Sequence, residues 1–122
     1  MTEEHTSPPV DLNGFRQAMR EAGIEEIVDQ TLRVFLTEAP QHHTNLEQAC
    51  TGDDPDAIAK AAHGFKSAAS AIYAYELADL LKKAELMGKE GNGDGAKGIF
   101  ETICSEYKVV MQYLNDHIAD DQ

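Results

Sequence analysis

The sequence predicts an all-α fold, an up-and-down four-helix bundle with a short additional N-terminal helix. Apolar residues recur at intervals of three and four along most of the chain, and no stretch alternates polar and apolar residues for long. With 122 residues and 42% hydrophobic content, the chain is long enough for one domain with its own core. We expect this domain at residues 10–118, with a disordered tail at 1–9 and a C-terminal tail at 119–122.

Start and stop signals place the first two helices. Asp11 is a capping residue for a short helix that ends at Gly23, because glycine readily leaves the helical conformation. A longer second helix carries an apolar face over residues 24–49. Within it Pro40 is expected to introduce a kink, and Gly52 is expected to end it.

The remaining helices follow from similar signals. Asp54 precedes a proline, which is a strong helix start because proline at the first helical position loses no hydrogen bond. The third helix is predicted over residues 55–72, and the fourth begins near Tyr75 and ends in the glycine-rich stretch 88–98. A last helix is predicted from about residue 94 or 96 to residue 118. The four long helices bury their apolar faces best as a bundle.

Composition excludes several classes of protein. The formal net charge of −12 argues against nucleic-acid binding, which requires clustered lysine and arginine. No apolar run is long enough to span a membrane, and the N-terminus lacks the pattern of a signal peptide, so we expect a cytoplasmic protein. Cys50 and Cys104 lie in no metal-binding or disulfide motif and are interpreted as apolar side chains.

The charge is unevenly distributed. Residues 60–89 contain five lysines and three acidic residues, whereas the rest of the chain contains five basic and 19 acidic residues. A mildly basic surface on an acidic body would steer an acidic partner toward one part of the molecule. The alternative is that the acidic residues serve solubility and the lysines are ordinary helix formers.

His63 lies on the polar side of the third helix, opposite the apolar stripe. By three- and four-residue spacing it shares that side with Asp56, Lys60, Lys66, Ser67 and Ser70. An exposed neutral imidazole carries a free lone pair and is a competent nucleophile near neutral pH. The next residue, Gly64, is small and leaves the ring open, and the ammonium of Lys66 can offset a phosphoryl charge. Spacing alone does not distinguish this site from a solvated histidine.

A longer stretch resembles a known family. The segment AAHGFKSAASAIYAYELADLLKKAELMGKEG is similar to the histidine-containing phosphotransfer (Hpt) domains of multistep phosphorelays. The similarity covers roughly residues 8–118. That pattern has a histidine after a small residue, a lysine three residues later, several small residues, and a leucine-rich helix that ends in glutamate and glycines. The matching positions are Ala62, His63, Lys66, Ser67, Ala68, Ala69, Ala74, Leu77, Glu85, Gly88 and Gly91.

The resemblance implies a phosphorelay intermediate without enzymatic activity of its own. His63 would accept a phosphoryl group from a receiver-domain aspartate and pass it to another response-regulator receiver, and Lys66 would offset its charge. The expected partners are receiver domains and a hybrid sensor histidine kinase. No cofactor is expected in this chain, because magnesium would be bound by the receiver. Residues expected to contact the partner are Lys60, Gly64, Ser70, Lys83 and Lys89.

Two positions depart from the family pattern. Ser67 stands where glycine is usual, and its hydroxyl could bond to the phosphoryl group or to the helix backbone. Tyr73 replaces another usual glycine, which puts the break between the third and fourth helices in doubt. We expect the transfer site itself to tolerate both replacements.

Three other functions are alternatives to phosphotransfer. An Hpt-like docking protein would bind a receiver or kinase without carrying phosphate, but it would have no need of an open imidazole beside Lys66. A metal site at His42 and His43 is a weak possibility, since adjacent histidines point about 100° apart on a helix. A self-contained kinase is excluded because no nucleotide-binding loop fits the length. The short tails favour a free-standing protein, and a monomer is expected.

Overall fold

A computed structural model describes residues 8–118 of the protein, and this part of the chain is helical, with no strand. The helices are α1 (Leu12–Glu21), α2 (Ile27–Thr51), α3 (Pro55–Ala71), α4 (Tyr75–Lys89), α5 (Gly93–Gly98) and α6 (Phe100–Ile118). The tails predicted at 1–9 and 119–122 lie almost entirely outside the described residues. Of them only Pro8 and Pro9 are described, and they lead into Val10, which is fully buried.

Helices α2, α3, α4 and α6 form the predicted four-helix bundle. Each contacts its two neighbours around the ring. Within the described residues the backbones of the diagonal pairs α2/α4 and α3/α6 do not approach closely, although the rings of Phe65 on α3 and Tyr107 on α6 make an edge contact at 5.8 Å between centroids. The apolar stripes face a common core, since burial of apolar surface is the main force that packs amphipathic helices together. The largest fully buried side chains are Phe65, Leu32, Leu46, Ile58, Ile72, Leu77, Leu81, Ile103 and Leu114.

The predicted helix caps at the start of α1 and α3 are present. The side chain of Asp11 accepts a hydrogen bond from the Gly14 amide at 3.0 Å, and that of Asp54 accepts one from the Asp56 amide at 3.0 Å. Each carboxylate satisfies a backbone donor that has no partner within its helix. Helix α1 packs against α2 and buries Phe15.

Helix α2 begins later than its apolar pattern suggested and continues through Pro40 to Thr51. Ile24, which was included in the predicted apolar face, lies before the helix and is exposed. Its carbonyl accepts a bond from the Ile27 amide in the turn that leads into α2.

The prediction of one continuous last helix from residue 94 or 96 was wrong. The structure contains a six-residue helix, α5, followed by α6, and the two are separated at Ile99. The amide of Ile99 bonds back to Ala96 and Lys97, while its carbonyl accepts the first bond of α6 from Ile103. Gly98 lies at this junction, where its low helix propensity favours a change of direction.

The turn between α3 and α4 is made by Tyr73, which has a backbone φ of +65°. The Ala74 amide bonds to the Ala69 carbonyl at 2.9 Å and the Tyr73 amide to the Ser70 carbonyl at 3.1 Å. These two bonds form a Schellman motif, the usual glycine-containing helix end. The helix break therefore occurs despite the tyrosine, whose ring stacks on Phe15 at 4.9 Å between centroids.

Candidate functional site

The predicted phosphoacceptor, His63, projects from the middle of α3 with 61% of its side chain exposed. Its Nδ1 atom lies 2.9 Å from Oε2 of Glu85 on α4. The ring is therefore open to a partner on one edge and fixed to the protein on the other.

Glu85 is the only charged residue buried among those that the structure describes, and 5% of its side chain is exposed. Three cationic or hydrogen-bonding groups surround it. The Nζ of Lys66 lies 2.8 Å from Oε1, and the Nζ of Lys89 lies 3.1 Å from Oε2, the oxygen that also contacts His63. A buried carboxylate requires such partners, because its removal from water is otherwise costly.

This environment keeps Glu85 ionised. The hydrogen bond from Lys66 is the largest effect, and the bonds from Lys89 and His63 act in the same direction. Together they outweigh burial and lower the pKa of Glu85 from 4.5 to about 2.

The charge of Glu85 determines which nitrogen of His63 is free. An ionised carboxylate can only accept hydrogen bonds, so the contact at Nδ1 requires the proton to be on Nδ1. In the neutral imidazole, Nε2 then carries the lone pair. Glu85 therefore selects the tautomer in which the exposed nitrogen is the nucleophile.

A groove of about 550 Å³ surrounds the ring, between α3 and α4. Ala59 and Gly64 lie in its wall beside His63, and Lys60 and Lys89 border it. The small residues leave the groove wide. Its border carries the ammoniums of Lys60 and Lys89 and also the carboxylates of Asp56 and Glu85, with which these lysines pair. The width of the groove admits a group carried by a larger partner, and the two ammoniums lie where they can contact an anionic one.

Gly88 allows α4 to approach α3 closely enough for the contact between Glu85 and His63. A Cβ atom at this position would lie 2.6 Å from the Pro55 carbonyl oxygen and 2.9 Å from the Ala59 amide nitrogen. Both are backbone atoms that cannot move aside cheaply. The glycine in the predicted motif thus has a structural role one turn from the buried carboxylate.

A family model described as Hpt domain matches residues 30–119. The chain belongs to the Hpt-domain family. Hpt domains are phosphocarrier modules without kinase activity, and they act in two-component phosphorelays with receiver domains and kinases. The matched segment begins within the first turn of α2, continues through α6 and includes His63, whereas α1 precedes it. No match was found among curated proteins or among solved structures.

The structure of this Hpt domain groups most of the predicted site residues. Ser67 and Ser70 are exposed on the side of α3 that carries His63. Lys60 is also exposed and forms an ion pair with Asp56 at 3.2 Å. A Cβ at Gly64 would make only ordinary contact with His42, so helix packing does not require this glycine.

The predicted docking residue Lys83 is the exception. At 100° per residue it lies about 160° around α4 from Glu85, on the far side from His63. Lys82 lies about 60° from Glu85, on the same side as Lys89, and is exposed. Lys82 therefore lies on the face of α4 that carries Glu85 and Lys89. The sequence analysis did not single out this lysine.

Sequence reasoning included Glu85 in the family pattern but gave it no role. The available signal was an acidic residue at the border of the apolar stripe of α4, next to Ala84 and four residues after Leu81. Such a position indicates a carboxylate that points toward the neighbouring helix. The sequence does not indicate which residues of that helix it meets, because the register of two helices depends on packing.

The histidines of α2 take part in aromatic packing. His42 stacks on Phe65 and His43 stacks on Tyr107, with centroid separations of 5.7 Å and 4.6 Å. The Nε2 of His43 lies 3.1 Å from Sγ of Cys104. Burial raises the pKa of the Cys104 thiol, which favours its protonated form.

In residues 8–118 no three histidine, cysteine or acidic side chains form a group that could bind a metal.

No described helix is long and apolar enough to cross a membrane.

Proposed function

We propose that this protein is a phosphorelay intermediate in which His63 accepts a phosphoryl group from a receiver-domain aspartate and passes it to a second receiver. One observation carries the proposal. A buried, ionised carboxylate contacts Nδ1 of an exposed imidazole, so that Nε2 is left as the free nucleophile facing a groove.

In the proposed step, the Nε2 lone pair attacks the phosphorus of the aspartyl phosphate in line with the leaving oxygen. The N–P bond forms, the P–O bond to the aspartate breaks, and the carboxylate leaves with the bonding electrons. The Nδ1 proton stays in its hydrogen bond to Glu85, where the carboxylate offsets the positive charge that develops on the ring. Transfer to the second receiver is the reverse of this step.

Lys66 and Lys89 supply positive charge to the arriving phosphoryl group. Both ammoniums lie within 3.1 Å of Glu85, the residue that also contacts the ring. Lys66 is partly buried, with 26% of its side chain exposed, and Lys89 lies at the border of the groove. Transfer of this kind depends chiefly on positioning and charge stabilisation, which these residues provide.

The docking surface comprises the groove and the exposed side of α3 around it, including Lys60, Gly64 and Ser70, with Lys89 and Lys82 from α4. Its lysines complement the acidic pocket of a receiver, which supplies the aspartate and bound magnesium. This chain requires no cofactor or catalytic activity of its own. The expected partners are receivers and a hybrid sensor kinase, and the expected compartment is the cytoplasm.

The test is phosphoryl transfer from radiolabelled phosphorylated receivers to the wild-type protein and to His63→Ala. Label that is acid-labile and base-stable is expected on the wild type and absent from His63→Ala, which should remain folded because the side chain is exposed. His117→Ala, which removes another exposed histidine on α6, is the matched control and should accept label normally.

Label on His63→Ala would contradict the assignment of the phosphoacceptor. If the wild-type protein binds phosphorylated receivers but takes no label from any of them, the protein is a docking partner that carries no phosphate.

A further inference from the structure

The hydroxyl group of Ser67 has no hydrogen-bond partner among residues 8–118. A hydroxyl within a helix commonly bonds to the carbonyl four residues earlier, and Thr31 and Thr37 of α2 do so at 2.8 Å and 3.0 Å. Ser67 makes no such bond and is exposed. Its donor is therefore available to a group that arrives at the surface.

Ser67 lies beside His63 on the side that faces away from Glu85. At 100° per residue, Ser67 is about 40° around α3 from His63 in one direction, and Lys66 is about 60° away in the other. The side of Lys66 faces α4, since its Nζ reaches Glu85 at 2.8 Å. The two neighbours of the histidine thus flank the ring on opposite sides.

Ser67 lies one turn after His63 on the same exposed face of α3. Because Nδ1 is bonded to Glu85, Nε2 is the nitrogen that would carry a phosphoryl group. Helical side chains lean toward the N-terminus, so the Ser67 hydroxyl leans toward His63, one turn earlier. The lysines reach such a group from the other side of the ring, where both contact Glu85.

We propose that the Ser67 hydroxyl donates a hydrogen bond to a phosphoryl oxygen of phosphorylated His63 and stabilises this form of the protein. The inference rests on the proposed function and adds a contact to the same site. Ser67 forms no covalent bond, and its proton stays on Oγ. A typical net hydrogen-bond contribution corresponds to about a fivefold change in an equilibrium constant.

The equilibrium of transfer between a phosphorylated receiver and this protein measures the effect. Because the receiver is the same in each reaction, changes between variants report on this chain alone. We expect Ser67→Ala and Ser67→Gly each to shift the equilibrium about fivefold toward the phosphorylated receiver. Ser67→Thr, which keeps the hydroxyl, should restore the wild-type value. Ser105→Ala on α6 changes another exposed serine and is the control.

Phosphorus NMR gives a second measurement that a purely structural role would not change. A donor to the phosphoryl group favours its dianion, so the pKa of the phosphoryl group should be higher in Ser67→Ala than in the wild type. The spectra are recorded on the phosphorylated proteins without the receiver, which removes any effect on docking.

The variants separate the competing explanations. If only the size of residue 67 matters, Ser67→Gly changes the equilibrium and Ser67→Ala does not, and the inference is wrong. If the helix propensity of residue 67 matters, Ser67→Ala and Ser67→Gly shift the transfer equilibrium in opposite directions, and the inference is again wrong. Wild-type protein that takes label with the same equilibrium as Ser67→Ala overturns this inference alone. Wild-type protein that takes no label overturns the proposed function as well.

Discussion

Nδ1 of His63 and Oε2 of Glu85 lie 2.9 Å apart and join the exposed surface of α3 to a buried carboxylate on α4. The contact links the chemistry of the histidine to the packing of the two helices. Glu85 selects the nucleophilic nitrogen of the histidine, and it also joins α4 to α3 through its contacts with His63 and Lys66. Changes at Glu85 should therefore affect both transfer and stability.

Glu85→Ala should slow phosphoryl transfer about tenfold, because loss of the acceptor allows the proton to occupy Nε2 and removes the group that orients the ring. Glu85→Gln keeps a carbonyl oxygen that can accept from Nδ1 and should cost less. Initial rates of transfer from a phosphorylated receiver measure the effect, and nitrogen NMR of the imidazole reports the tautomer. Equal rates in Glu85→Ala and the wild type, with the tautomer unchanged, would remove Glu85 from the mechanism.

The low pKa of Glu85 predicts a pH dependence of folding. Its pKa of about 2 lies below the ordinary value of 4.5, so its ionised contacts contribute fully above pH 4.5. The contribution is lost as the pH falls from 4.5 through about 2, and its full size is about 3 kcal/mol. Urea unfolding of the wild type and of Glu85→Gln between pH 6 and pH 3 measures it. The difference in unfolding free energy should shrink as the pH falls, and a constant difference would contradict the prediction.

The sequence was sufficient for the fold because its signals are local. Apolar periodicity and the caps at Asp11 and Asp54 depend on residues close together in the chain. The break at Ile99 was missed because periodicity continues across it, although a single residue there leaves the helical path. The partners of Glu85 could not be predicted, since they depend on how deeply α4 packs against α3.

Gly88→Ala should destabilise the protein by about 2 kcal/mol or more, because the added methyl group would meet backbone atoms of Pro55 and Ala59. Separation of α4 from α3 would also lengthen the contact between Glu85 and His63 and slow transfer. Gly98→Ala is the matched control, since its methyl group would meet nothing within 4 Å. Thermal unfolding and transfer rates check both effects, and equal stability of the two variants would show that α4 can move without cost.

Lys82→Ala should slow association with a phosphorylated receiver about two- to threefold at low salt, because Lys82 is on the side of α4 that carries Glu85 and Lys89. Lys83→Ala should have a smaller effect, since this lysine lies on the opposite side of the helix. Lys108→Ala on α6 controls for the change in net charge. Stopped-flow association at several salt concentrations measures the rates, and the effect of Lys82→Ala should decrease as salt increases. A larger effect of Lys83→Ala would place the docking surface elsewhere on α4.

Tyr73 combines a conformational cost with a packing gain, and the two can be separated by mutation. Its φ of +65° costs about 1 kcal/mol relative to glycine, while its ring stacks on Phe15. An aromatic pair contributes about 0.5–1.5 kcal/mol beyond the area that it buries.

We therefore expect Tyr73→Gly to destabilise the wild-type protein, because the lost ring contacts exceed the conformational relief. In the Phe15→Ala protein the same substitution should be more favourable by about 1 kcal/mol, since the stacking partner is already absent. Urea unfolding of the two single variants and the double variant gives this coupling. Strictly additive free energies would show that the stack contributes nothing to stability and that the tyrosine is retained at this turn for another reason.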